Sequence, residues 1–400
     1  MMKILVFTSL FPNHLDPDFG VFIKNRMLSV AQLKGCEIIV VAPVPYCPPW
    51  KILGKWYRFS KIQKHEKLKG IDVYHPRYLL IPKISMRYHG LSMYFFSIGL
   101  LKRIYKKFVF DIIDAHYIYP DGFAGVMLGR KFNIPVVVSA RGSDIHDFPR
   151  FKAIKPLIQR TLSMANHVIS VCNALKDAMV RLGCDSKKIK VISNGIDADR
   201  FFMLPRNLAR EKLNLDQDKK IILSVGSLIP LKGHHLTIEA MQDILRDIPA
   251  AHLYIAGKGE KEENLKKQVL ENGLLDHVSF LGHVANEELN QWYSAADVFC
   301  LASSREGWAN VIMESMACGT PVVATNVWGA PEIITNEKVG ILVERSVDAI
   351  SRGLIDALNR DWDQDMILEH VSKRTWDVVA REVKDVFDCI LGEKPCRNFF

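Results

Sequence analysis

Ser303-Ser304-Arg305-Glu306-Gly307-Trp308-Ala309-Asn310-Val311-Ile312-Met313-Glu314-Ser315-Met316-Ala317-Cys318-Gly319-Thr320-Pro321-Val322-Val323-Ala324 is the stretch that decides the fold. A strand is expected to end at Ser303, a loop to turn through Gly307, and Asn310 to cap a helix that Gly319 stops before the next strand begins. Such a loop and helix start at the carboxyl end of a parallel strand turns backbone N–H groups and the positive end of the helix dipole toward an anion. A diphosphate fits there. Glu306 and Glu314, eight positions apart, do not share a helical face, so Glu306 belongs to the loop and Glu314 to the helix. That arrangement suits a nucleotide sugar, with one acid near the sugar and the other near the ribose.

Outward from this stretch the same grammar repeats. In the second half, strands are expected at 220–226, 251–257, 278–281, 298–302, 321–324 and 340–343, with helices near 233–245, 260–272, 286–296 and 310–318. The first half alternates likewise, with strands at 3–8, 37–42, 111–115, 135–139, 167–171 and 190–192, and helices near 22–34, 91–107, 122–131, 154–165 and 173–182. Four hundred residues exceed what a single core usually holds, and two α/β domains with parallel sheets follow. The turn Ser193-Asn194-Gly195-Ile196-Asp197 places the boundary between domains 1–197 and 198–375. An amphipathic helix over 376–391, within a final segment 376–400, is expected to pack back across the hinge.

Charge divides with the domains. Residues 1–200 hold 31 Lys and Arg against 14 Asp and Glu, or +17; the remainder holds 22 against 30, or −8. So basic a half suits an anionic membrane face or an anionic substrate. Nucleic acid is not expected as a partner, because no helix-turn-helix, zinc-finger or base-stacking signature accompanies the charge. Within that half, Trp50, Trp56, Tyr57 and Phe59 are interleaved with the cations of Lys51–Lys69. This segment reads either as a solvated helix and loop with an apolar face or as a contact to a membrane surface or lipid acceptor. The apolar run at the N-terminus reads as a buried first strand and not as a leader, and no run reaches the length of a membrane span. The eight scattered cysteines, with no Cys-x-x-Cys pair, read as reduced, mostly buried thiols.

Further loops carry the chemistry. Ser224-Val225-Gly226-Ser227-Leu228-Ile229-Pro230-Leu231-Lys232-Gly233 is a glycine-bearing turn from strand to helix, and Lys232 is suited to neutralise charge building on a leaving diphosphate. Ala256-Gly257-Lys258-Gly259-Glu260 and Gly282-His283-Val284 end neighbouring strands. In the first half, Phe11-Pro12 and Asp18-Phe19-Gly20-Val21-Phe22 form the first turn from strand to helix, where glycine allows a ligand close to the backbone. Asp114-Ala115-His116-Tyr117, with Tyr119-Pro120-Asp121-Gly122, and Ser139-Ala140-Arg141-Gly142-Ser143-Asp144-Ile145 end two more strands, so His116, Arg141 and Asp144 are expected to border the acceptor side of a crevice.

With these blocks the chain resembles glycosyltransferase family 4, whose hallmark is Glu-x7-Glu within a run that this sequence matches apart from Ser315 and Met316. The resemblance covers nearly the whole chain, most densely from Lys220 to Ile334. It implies the GT-B fold, two Rossmann-like domains facing a central cleft, and a retaining, metal-independent glycosyl transfer from a nucleotide sugar, UDP-linked in preference to GDP-linked. It assigns Glu306 to the donor sugar hydroxyls and Glu314 to the ribose, with Lys232 at the diphosphate. The strand end at Gly257 lies beneath the base, and the helix start at Asn310 and Val311 meets the donor. Ser227 stands where the family often carries an arginine, so a second cation is not assigned there, and Arg305 or a backbone amide are the alternatives that would compensate for it. The Gly20 amide reaches the donor phosphate from the first domain, and His116, at the family's histidine position, is expected to hold the acceptor and contact the transferred sugar.

Within the family, the opening block and Arg141-Gly142-Ser143-Asp144 look most like enzymes that extend cell-surface polysaccharides. That implies a lipid-linked or glycan acceptor and a cytoplasmic protein held peripherally at the inner membrane face. A nucleotide-sugar epimerase or hydrolase on the same fold is the alternative reading, separable because it forms no glycoside. A catalytically silent binding protein is a second, disfavoured by the intact set Glu306, Glu314 and Lys232.

Overall fold

A computed structural model describes residues 1–81 and 85–393 of the chain. Residues 394–400, including Cys396, lie outside the described residues. The chain divides into two compact units, one of Met1–Gly195 together with the segment from Trp376, the other of Ile196–Thr375.

The first unit is built on strands β1 (Met2–Phe7), β2 (Cys36–Val41), β3 (Val44–Pro45), β4 (His65–Leu68), β5 (Ile71–Tyr74), β6 (Arg77–Tyr78), β7 (Ile112–His116), β8 (Val136–Ser139), β9 (His167–Ser170) and β10 (Ile189–Val191). Its main sheet runs β10-β9-β8-β7-β1-β2-β5-β4, all parallel except β4, while β3 and β6 pair separately. β7, β8 and the core of β1 are buried on both faces, which is why they read as continuous apolar runs without alternation.

β4 and β5 escaped the sequence reading. His65-Glu66-Lys67-Leu68 is too polar to signal a strand, and it forms an exposed edge, where charge hinders pairing with a stray strand. The hairpin closes through Lys69 and Gly70, both at positive φ (47° and 90°), the backbone of a type I′ turn. The segment ahead of it is a short helical stretch, Lys51–Trp56, running into the helix Tyr57–Lys61.

The second unit carries β11 (Lys220–Val225), β12 (Ala251–Ala256), β13 (Val278–Gly282), β14 (Val298–Leu301), β15 (Val322–Thr325) and β16 (Gly340–Val343). They form one parallel sheet in the order β13-β12-β11-β14-β15-β16. Apolar residues of β11 point alternately to its two faces: Ile221, Leu223 and Val225 join the cluster with Phe299 and Met316, and Ile222 joins the cluster with Ile238, Met241 and Leu354. Helices the sequence reading did not mark, at Arg206–Lys212, Val347–Asn359 and Gln364–Ser372, complete the unit.

The helix Trp376–Ile390 belongs to the first unit. Val379, Val383, Val386 and Phe387 lie in one buried cluster with Ile23, Met27 and Val30 of the helix Val21–Gln32. Cys36, Cys47, Cys172, Cys184, Cys300 and Cys318 are free thiols. Cys389 is buried in the helix Trp376–Ile390.

Candidate active site

Both sheets share one topological feature. Chain order reverses about β1 in the first unit, with β2 on one side and β7 on the other, and about β11 in the second, with β12 and β14 beside it. At such a switch point the loops leaving two neighbouring strands diverge to opposite faces and open a crevice at their carboxyl ends.

In the second unit this geometry brings together residues far apart in sequence. Lys232 leaves the loop after β11 and Glu306 the loop after β14, and Lys232 Nζ donates to Glu306 Oε1 at 2.6 Å. Ser303 Oγ donates to the same oxygen, also at 2.6 Å. Glu306 is only 9% exposed, so two donors on one oxygen offset the cost of removing its charge from water. Ser303 is a contributor that sequence reasoning passed over, although it stands three residues from Glu306 in the deciding stretch. Arg345 was missed entirely: its Nε donates to the Ala302 carbonyl at 3.1 Å and its guanidinium to the Pro230 carbonyl at 3.4 Å, tying the two site loops together.

Glycine is required where these loops touch. Gly233, at φ +75°, opens the helix His234–Asp247, and a Cβ there would stand 2.0 Å from the Ala302 carbonyl oxygen. Gly257, at φ +146° just beyond β12, would place a Cβ 1.9 Å from the Gly226 oxygen. The loops after β11, β12 and β14 therefore pack backbone against backbone at these glycines, a floor of main chain beside the Lys232 side chain. Ser227 is exposed on this floor.

Asn310 is not the cap that was expected. The helix runs Asn310–Ala317, and Ala309, whose side chain cannot cap, occupies the cap position. Asn310 and Val311 thus form its first turn. Glu314 follows on the same helix, and its Oε2 accepts from the Tyr293 hydroxyl at 3.1 Å. Burial pushes the Glu314 carboxyl up to about 7, against the Tyr293 hydrogen bond and the Arg200 charge, which act to lower it. Tyr293 sits in the helix Leu289–Ala295 and gave no sequence signal.

In the first unit, Gly20 takes φ +68° at the head of the helix Val21–Gln32, and a Cβ would meet the Leu10 carbonyl oxygen at 2.3 Å. His116, at the end of β7, is completely buried. Arg141 donates to its Nδ1 at 2.6 Å, and its Nε2 lies 3.1 Å from Asp114 Oδ2. Because a guanidinium only donates, Nδ1 is the acceptor and the ring proton faces Asp114. Burial drives the His116 pKa down to about 4; Asp114 pulls upward and Arg141 adds to the fall, so the ring is neutral. Arg26 lies 4.0 Å from Asp114, and Arg141 continues the chain to Asn194 Oδ1 at 3.2 Å. Asp114 was legible in principle, since it stands two residues before His116 on the same strand face.

Asp144 corrects an expectation. Its fully buried carboxylate does not line a crevice: it accepts from the backbone N–H groups of Ile118 at 2.8 Å, Gly142 at 2.8 Å and Arg141 at 3.1 Å. It fixes the loop that aims Arg141. Among the described residues no group of three or more His, Cys, Asp or Glu side chains is placed to hold a metal ion. Asp-x-Asp pairs do occur in the sequence, among them Asp216/Asp218, whose side chains are exposed in the loop before β11.

Sequence models of two families match the chain, glycosyl transferases group 1 over residues 205–373 and glycosyltransferase family 4 over residues 76–200. An uncharacterized glycosyltransferase of Methanocaldococcus jannaschii is 30% identical over 349 residues, covering 82% of this chain and 86% of its own. A Bacillus subtilis glycosyltransferase assigned to teichuronic acid biosynthesis is 28% identical over 363 residues, 88% of each chain. Among solved structures, an Anabaena protein crystallised with UDP and glucose superposes with a TM-score of 0.72 at 19% identity, covering 97% of this chain and 100% of its own, a likeness of fold. Two units with switch-point loops, the Lys232–Glu306 pair and these relatives lead to one conclusion: the chain belongs to glycosyltransferase family 4, with the GT-B fold.

Proposed function

We propose that this glycosyltransferase moves a sugar from a nucleotide sugar, a UDP-sugar before a GDP-sugar, to a lipid-linked or glycan acceptor in cell-surface polysaccharide biosynthesis, with retention of configuration and without a metal. The observation that carries the reading is the Lys232–Glu306 pair, a cation and a carboxylate on adjacent loops over a glycine floor. In the proposed mechanism Lys232 shares its charge with the donor diphosphate, Glu306 accepts from the sugar hydroxyls, and Glu314 accepts from the ribose. The bond from the anomeric carbon to the phosphate oxygen breaks as the acceptor oxygen bonds on the same face. The acceptor proton passes to the departing phosphate oxygen, and no protein nucleophile is needed. Ser227, Gly257, Asn310 and Val311 contribute backbone surface to the donor. Arg141 faces the acceptor, oriented by Asp144 and by His116, which acts as a positioning residue.

The UDP in the Anabaena neighbour and the polysaccharide role assigned to the Bacillus relative support the donor and the pathway class. The basic first half and its exposed Trp50, Ile52, Phe95 and Phe96 support peripheral residence on an anionic, cytoplasmic membrane face. No helix among the described residues is long and apolar enough to cross a membrane. The test is to incubate the protein with UDP-, GDP- and ADP-sugars in EDTA, with and without membrane extract, following nucleotide release and product. Release from one donor that rises with extract and yields an α-linked glycoside from an α-linked donor supports the proposal. Free sugar or an epimer as the sole product overturns it in favour of a hydrolase or epimerase, and turnover only after metal is restored removes metal independence.

A further inference from the structure

A cavity of about 440 Å³ opens in the first unit where the loops after β1, β2 and β5 converge. It is a separate feature from the Asp114–His116–Arg141 chain. Phe11, Phe19, Val44, Trp56, Phe59 and Ile62 give its wall an apolar character.

Several of the polar side chains that line it are engaged with one another or with backbone. Asp16 accepts from Arg58 at 2.6 Å, and Asn13 Oδ1 accepts from the Leu15 amide at 3.0 Å. His75 is held between the Ala42 carbonyl at 3.0 Å and Glu66 Oε1 at 2.7 Å. A sugar ring placed inside would have to surrender hydration of its hydroxyls to a wall with few groups left to replace it. A hydrocarbon loses nothing there and gains from burial.

Two observations say what kind of hydrocarbon. In the chain between the lining residues Pro45 and Trp56, Tyr46 (53% exposed), Trp50 (63%) and Ile52 (91%) turn apolar surface to water. The same short segment that supplies Trp56 and Phe59 carries exposed Lys51, Lys61 and Lys64 beside the Asp16-paired Arg58, an excess of positive charge complementary to a phosphate. We propose that this cavity takes the hydrocarbon chain of a phosphorylated lipid acceptor, with the phosphate held by the 51–64 cations. The assignment rests on the lipid-linked acceptor proposed above and names the residues that select for it.

The whole chain is titrated calorimetrically with single-chain alkyl phosphates of increasing length, each below its micelle concentration. Affinity is expected to rise by roughly fourfold per added methylene over the shorter members, the value for full burial. A chain brominated near its end should quench tryptophan fluorescence in the native protein and much less in Trp56→Phe. Phe59→Glu should weaken binding at least tenfold, with nucleotide affinity unchanged as the measure that the protein is folded. Affinity independent of chain length, quenching equal in Trp56→Phe, or binding only above the micelle concentration would overturn the assignment. Failure of the donor reading looks different: alkyl phosphates would bind with the expected length dependence, yet no donor would release nucleotide. Turnover onto a water-soluble glycan with a flat length series would sink the cavity assignment and leave the donor reading standing.

Discussion

Replacing Lys232 by Met separates its proposed chemical role from its structural one. The ammonium is one of two donors to Glu306 Oε1, and its loss leaves a carboxylate that is 9% exposed with Ser303 alone. Breaking a fully buried pair costs about 3–5 kcal/mol. Here the side chains keep 21% and 11% of their exposure, and screening brings the expected loss to about 2 kcal/mol. Activity should fall further than stability accounts for. Removing one preorganised group that stabilises developing charge lowers turnover by about 10²- to 10³-fold, and Lys232→Met is expected in that range for nucleotide release from the active donor. The double variant Lys232→Met/Glu306→Gln decides between the roles. A neutral amide needs no ammonium, so urea unfolding should return to within about 1 kcal/mol of the parent, while nucleotide release stays lost. Recovery of activity together with stability would show that Lys232 serves only to neutralise Glu306, and a Lys232→Met enzyme within about threefold of the parent would remove it from the chemistry.

Three further outcomes follow from individual contacts. Because Glu314 titrates near 7 in the folded protein against an ordinary 4.5, nucleotide affinity should rise as pH increases through about 7, and Glu314→Gln should flatten that profile. The same shift makes the stability contributed by this group decline as pH rises between those two values, since the folded state then holds the proton more tightly than the unfolded chain; a urea series across pH checks the sign. Gly257→Ala sets a Cβ against the Gly226 oxygen at φ +146° and should cost about 2 kcal/mol or more, read as a lowered urea midpoint, with nucleotide affinity falling as the floor shifts. Asp144→Asn exchanges a carboxylate that accepts three backbone amides for a group with one acceptor oxygen, and should lower stability by about 2–3 kcal/mol; an unchanged midpoint would refute its role as the loop's anchor.

The sequence by itself determined the two α/β units and most of their central strands, because a strand buried on both faces must be a short apolar run and a following helix must show its longer period. Glu306, Glu314 and Lys232 were legible for a similar reason: glycines and turn residues punctuate the loops that hold Glu306 and Lys232 and bound the helix that carries Glu314, and those signals are local in the chain. The polar edge hairpin β4–β5 left no apolar pattern to read, and Tyr293 and Arg345 act on partners far away in sequence. Only the tertiary structure decided which charges meet. Lys232 reaches Glu306 across 74 positions because strand order reverses at β11, and the same reversal at β1 sets β7 and its histidine beside the first loop. Burial, likewise a property of the folded chain, turned His116 into a neutral link between Asp114 and Arg141 and committed Asp144 to backbone amides. Residue type and spacing announce that a charged group is present; the loss of water around it, which sets what the group does, exists only once the chain has packed.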